Sequence, residues 1–181
     1  MQRRAAEKIF IITSHGIDEA TSALERYNLS RLSSRLRTAI RNTLRAGKQE
    51  LKTRVQVRYT AKNPMSLGKT KTTASALRGS LKVGGSRNQL KKFIIKPSSR
   101  PRKMPPGGVF ANVVHGQGGM IRRGFLQRSG GVFERVGRPR FPIRQLKTVS
   151  LPGMASRVGE HVEAKMAQRL GIEIPAALGE F

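Results

Sequence analysis

The sequence predicts an α+β domain: an antiparallel sheet of about five to six strands packed with a long helix in the N-terminal half and a second helix near the C-terminus, plus an extended basic loop. Three observations predict it. Leu29, Leu32, Leu36, Ala39, Ile40, Thr43 and Leu44 recur at three- and four-residue spacings, which places them on one stripe of a helix. Met154, Val158, Val162, Met166 and Leu170 repeat at four-residue spacing and define the closing helix. Between the two lie short β-branched and aromatic runs separated by glycine and proline, the pattern of hairpins. The chain reads as a single domain over residues 1–171, with 97–108 as a Pro/Gly/basic arm and 172–181 as a C-terminal tail.

In chain order, residues 8–13 (Lys-Ile-Phe-Ile-Ile-Thr) suit a short strand, broken by His15-Gly16. Its apolar run Ile9–Ile12 is shorter than the ~7–15 residues of a secretory h-region, and no run approaches the ~20 of a membrane span. The expectation is a chain made in the cytoplasm without a membrane partner. Asp18 and Glu19 favour the start of a first helix reaching about Tyr27, because negative charge suits the positive end of the dipole. The clearest helix follows, with Ser30 as cap, Arg31, Arg35, Arg37, Arg41 and Arg45 off the apolar stripe, and an end between Gly47 and Lys52.

Residues 53–60 then alternate, Val55, Val57 and Tyr59 against Arg54, Gln56 and Arg58, which predicts a half-buried strand with a basic outer face. The polar segment 61–73 holds a helical turn around Pro64–Leu67. Leu81 and Val83, then Leu90, Phe93, Ile94 and Ile95, predict two strands around the turn Gly84–Asn88. The arm 97–108 is too rich in proline for helix or central strand, so it is extended and exposed. Val109–Val114 returns to strand and ends at the glycines 116, 118 and 119, a turn or hinge before Arg122-Arg123.

A three-stranded meander comes next: 124–128 with 132–136 across Ser129-Gly130-Gly131, and 132–136 with 141–146 across residues 137–140. Pro142 cannot donate to a ladder and marks an edge or bulge. Phe125, Phe133 and either Phe141 or Ile143 are expected to pack the sheet on the two helices. Glu134 and Arg135 fall on opposite faces of one strand and reach neighbouring groups. Ser150 caps the last helix, Pro152 sits in its first turn, and Gly171 stops it.

Charge bounds the function. The 181 residues carry 36 Lys+Arg against 10 Asp+Glu, a net of +26. Between Glu50 and Glu134 there is no acidic residue, while that interval holds 18 Lys and Arg. Such a field repels itself and attracts polyanions. With 37% apolar and 5% aromatic residues the core is modest, and extended segments are expected to order on a partner. There is no cysteine, which excludes disulfides and thiolate metal sites.

Catalytic chemistry finds little footing. Gly68-Lys69-Thr70 is a fragment of a phosphate loop, but Asn63 stands where the first glycine belongs. His15, His115 and His161 are far apart, and His161 between Glu160 and Glu163 reads as helix-surface charge. The carboxylates are too scattered for an acid/base pair, so the expectation is a protein with no catalytic residues, no metal, no cofactor and no small-molecule ligand. The residues singled out for phosphate or partner contact are Lys91, Lys92, Arg100, Arg102, Lys103, Arg122, Arg123, Arg138 and Arg140.

The order Gly124-Phe125, Gly131-Val132-Phe133-Glu134-Arg135-Val136-Gly137, Arg140, Pro142-Ile143, Ser150, Pro152 and Met154 resembles the minor tail protein Z family of tailed bacteriophages, and more broadly tail-completion and head–tail joining proteins. The likeness is strongest over 107–155. It departs in Arg138-Pro139-Arg140, a rigid basic tip, and in Thr148-Val149-Ser150 ahead of Pro152. The resemblance implies a non-enzymatic virion component in a ring, most simply sixfold, at the head-proximal end of the tail. It would contact neck, tail-terminator and tail-tube proteins and touch genomic DNA non-specifically. Gly131, Phe133, Arg135, Gly137, Pro142, Ile143 and Pro152 would be its structural residues. The rival expectation from charge alone is a non-enzymatic nucleic-acid-binding protein of ribosome-associated or DNA-packaging type.

Overall fold

The computed structural model describes residues 7–13, 29–103, 105–137 and 141–179. The first helix expected at 18–27, His15, and the tip Arg138-Pro139-Arg140 lie outside the described residues. The fold is α+β, with two helices and four small antiparallel sheets among the described residues rather than one sheet of five or six strands.

Strand β1 (Glu7–Thr13) and strand β2 (Lys69–Ala74) flank β3 (Arg78–Gly84). Strand β4 (Arg87–Gln89) pairs with β11 (Lys147–Ser150). Strands β5 (Ile94–Lys96), β6 (Val109–Asn112) and β7 (Gly118–Ile121) form a third sheet in that order. The fourth is the expected meander, β8 (Gly124–Leu126), β9 (Val132–Arg135) and β10 (Ile143–Gln145), with β10 at an edge next to Pro142. The long helix α1 covers Leu29–Arg58 and the closing helix α2 covers Leu151–Gly179.

Helix α1 absorbs the segment whose alternation predicts a strand. Val55 is fully buried and Tyr59, just past the helix, is 1% exposed, whereas Val57 between them is 68% exposed. Leu44, Leu51, Val55 and Tyr59 thus continue the helical stripe, and only the coincidence of β-branched residues at alternate positions mimics a strand. The Tyr59 amide still donates to the Val55 carbonyl at 2.9 Å. The 3₁₀ turn Pro64–Leu67 is where the sequence places it, with Asn63 Oδ1 accepting from the Met65 amide at 3.1 Å. The polar run after it is strand β2, an edge.

No hairpin forms across Gly84–Asn88. Strand β3 is the centre of its own sheet, and Leu90 and Phe93 bracket a second 3₁₀ turn (Leu90–Lys92). Their three-residue spacing lets both side chains turn inward, which an alternating strand would not. Gly118 and Gly119, read as hinge, belong to β7, and the turn is made at Gly116.

Helix α2 starts as expected, with Ser150 Oγ accepting from the Gly153 amide at 3.3 Å and Pro152 buried in the first turn. It does not stop at Gly171, so there is no separate tail at 172–179. The helix continues through Pro175 because its last turns dock on α1: Leu170 packs on the core, and Glu173 accepts from Asn42 Nδ2 at 3.1 Å while pairing with Arg169 at 2.9 Å. Tertiary contact overrides the local stop signals. The helices approach closely at Gly47, where any Cβ would stand 2.2 Å from Met166 Sδ.

The main core lies between α1, α2 and β3 and includes Leu44, Leu51, Val55, Leu81, Val83, Phe93, Met154, Val158 and Val162. A smaller core of Leu90, Ile95, Val109, Leu126 and Val132 supports the sheets β5–β6–β7 and β8–β9–β10, and Val113 touches both. Phe125 and Phe133 are not part of either. They sit half-buried on the meander, ring centroids 6.3 Å apart, while Ile143 is half-buried and Phe141 is 64% exposed. The sheet–helix packing expected of them is done by β3 and Phe93. No helix among the described residues is long and apolar enough to cross a membrane.

Candidate basic interface

The basic arm is the connection of the β5–β6 pair. Ile94 pairs with Asn112 and Lys96 with Phe110, so residues 97–108 leave the sheet and return beside their origin. Arg100, Arg102 and Lys103 are exposed along it. The arm closes through Gly108, whose amide donates to the Pro105 carbonyl at 2.9 Å. Gly108 is buried with φ +84, and a Cβ there would meet Ile121 O at 2.2 Å and Arg122 O at 2.8 Å. The return of the arm is therefore packed on the β7–β8 turn, which sets the exposed Arg122 and Arg123 beside its base. Five cations that the sequence places in two separate runs form one rim with Lys91, whose Nζ donates to the Ser129 carbonyl at 3.4 Å on the β8–β9 turn.

At the meander the rim opens into a cleft of about 500 Å³, lined by Arg100, Phe125, Arg128, Arg135, Phe141 and Ile143 among others. The Arg135 guanidinium lies 5.7 Å from the Phe125 ring centroid, a cation–π contact. Glu134 is taken up by Arg144, Oε2 to Nη2 at 2.8 Å, across the β9–β10 ladder. Among the described residues the ion pairs are Glu50–Arg54, Glu134–Arg144 and Arg169–Glu173, none of which includes a rim cation. Arg128 was not singled out from the sequence. Its signal is that it shares the acid-free run and precedes the turn to which Lys91 bonds.

Lys92 does not join the rim. It is half-buried, and its Nζ donates to the Ser66 carbonyl at 2.8 Å and to Asn88 Oδ1 at 3.1 Å. The successive lysines point to different neighbours because the 3₁₀ turn separates their directions. Arg138 and Arg140 lie outside the described residues, so the basic tip is not placed.

The remaining motif residues hold the meander. The Gly131 carbonyl accepts from the Gln127 amide at 3.1 Å, Phe133 pairs with Phe125, and Arg135 pairs with Ile143. The Pro142 carbonyl accepts from the Val136 amide at 3.0 Å, which closes the turn that includes Gly137. Pro152 is buried at the start of α2.

Lys69 and Thr70 open strand β2, so the Gly68-Lys69-Thr70 fragment has no helix N-terminus behind it and is not a phosphate loop of that type. His115 and His161 are exposed, and no cluster of three or more metal-type side chains occurs among the described residues. Comparison with protein-family models, curated proteins and solved structures gives no match to this chain.

Proposed function

We propose that this chain is a non-enzymatic structural component of a tailed-bacteriophage particle, a tail-completion or neck protein that forms a ring, sixfold in the simplest case, at the head-proximal end of the tail and enables the head to join. The observation that carries this reading is the rim of cations that form no ion pair among the described residues, on an acid-free stretch of chain. Like charges gathered on an arm and two turns repel one another, and the arrangement is relieved when carboxylates or phosphates of neighbours face them. The meander residues Gly131, Phe133, Arg135, Gly137, Pro142 and Ile143, leading through β11 into α2, support the family resemblance. The arm, anchored at Gly108 and exposed between its ends, suits contact with an adjacent ring subunit or with tail-terminator and tail-tube proteins. The location that follows is the virion, at the neck.

The same rim favours a second reading, a free nucleic-acid binder that neutralises phosphates without reading bases. Charge reversal in the assembling particle separates them. Arg122→Glu with Arg123→Glu is expected to leave filled heads and finished tails unjoined, with infectious particles reduced at least tenfold and separate heads and tails visible by electron microscopy. Normal particle yield from that double variant counts against the neck reading.

A further inference from the structure

A second cation cluster uses none of the rim residues. Gly68, Lys69, Arg87, Asn88, Lys92 and Lys147 line a cleft of about 740 Å³ where three distant stretches of chain meet. The β4–β11 ladder brings Lys147 to Gln89 and Thr148 to Asn88, then shifts register before Ser150 pairs with Arg87. Within that shift the Val149 carbonyl accepts from Asn88 Nδ2 at 3.2 Å. Asn88 is 4% exposed, and with its amide held this way its Oδ1 accepts from Lys92 Nζ at 3.1 Å. The Ser66 carbonyl accepts from the same ammonium at 2.8 Å. An ammonium has three N–H donors, and no bond among the described residues takes the third.

Lys69, Arg87 and Lys147 are exposed around this fixed ammonium, and none is in an ion pair among the described residues. No Asp or Glu is among the described residues of the lining. Glu7 pairs with Gly84 from the β1 side of β3, opposite the β2 side that carries Lys69. One positioned donor with three exposed cations is more than a single carboxylate neutralises. It matches a phosphate group, with its larger charge and its several acceptor oxygens.

We propose that this cleft binds phosphate groups, with Lys92, positioned by Asn88, as the fixed contact and the exposed Lys69, Arg87 and Lys147 as the surrounding ones. The site goes beyond the neck reading and is independent of it, since it acts in the isolated chain. The phosphate comes either from a free phosphate compound or from a nucleic-acid backbone, and two probes separate these sources. Pyrophosphate is titrated calorimetrically into nuclease-treated full-length protein, and a labelled DNA duplex is titrated by fluorescence anisotropy over a range of salt.

The variant Lys69→Gln/Arg87→Gln/Lys147→Gln leaves the Lys92–Asn88–Ser66 bonds in place and so keeps the fold. The control Arg31→Gln/Arg37→Gln/Arg41→Gln removes equal charge from exposed positions of α1. At least one probe is expected to lose tenfold or more in affinity in the cleft variant and no more than about twofold in the control. For the duplex, the salt slope falls by about 2 to 3 in the cleft variant, at ~0.9 per phosphate contact. Lys92→Met is expected to weaken the same probe. A pyrophosphate response assigns a free compound, and a duplex response alone assigns a backbone. Binding of neither probe, or equal losses in cleft variant and control, overturns the site.

Discussion

Val55→Asp is expected to unfold the protein, while Val57→Asp two residues away leaves it folded. Val55 lies on α1, fully buried in the main core, and Val57 is 68% exposed on the same helix. A carboxylate at 55 has no partner in an apolar surround, and either its ionised form or its forced protonation costs several kcal/mol. The expected loss is about 4 kcal/mol or more, a large share of the ~5–15 kcal/mol that holds a typical domain. At position 57 the same change is worth at most about 1 kcal/mol, chiefly from placing negative charge near the helix C-terminus. Urea denaturation followed by circular dichroism measures both. A strand with Val55 and Val57 on one face requires equal losses, so equal losses contradict the helix.

Gly108→Val is the second large effect. The backbone there has φ +84, which L side chains rarely adopt, and the new Cβ would lie 2.2 Å from the Ile121 carbonyl oxygen. Neither term is relieved by turning a side chain, because the obstructing atoms are backbone. The expected destabilisation is about 2 to 4 kcal/mol. The arm should also detach from the β7–β8 turn, so trypsin cleavage at Arg102 and Lys103 should accelerate at least tenfold under native conditions. Gly119→Ala, with open space around its Cβ, serves as the tolerated comparison. Unchanged stability and cleavage in Gly108→Val would show that the arm is not anchored there.

These two positions mark where the sequence was legible and where it was not. The meander β8–β9–β10 and the start of α2 are readable because turn glycines, a proline and a serine cap act locally. Val55, Val57 and Tyr59 satisfy both a period of two and part of a period of 3.6, and only packing against α2 decides between them. Gly171 and Pro175 are true stop signals overruled by contacts from Asn42 and the core. The β4–β11 ladder was invisible because strands of three and four residues, some sixty positions apart, carry no period. The basic rim was visible as composition. Its assembly depends on Gly108 reaching Arg122 and on Lys91 reaching Ser129, contacts that no local pattern encodes.

Sedimentation velocity of the nuclease-treated protein at physiological salt tests the central claim most directly. If the cation rim exists to meet neighbouring subunits and tail proteins, the chain sediments as a closed oligomer, or does so once tail-tube protein is added, with no nucleic acid present. A monomer that ignores tail protein and gains mass only with DNA would contradict it.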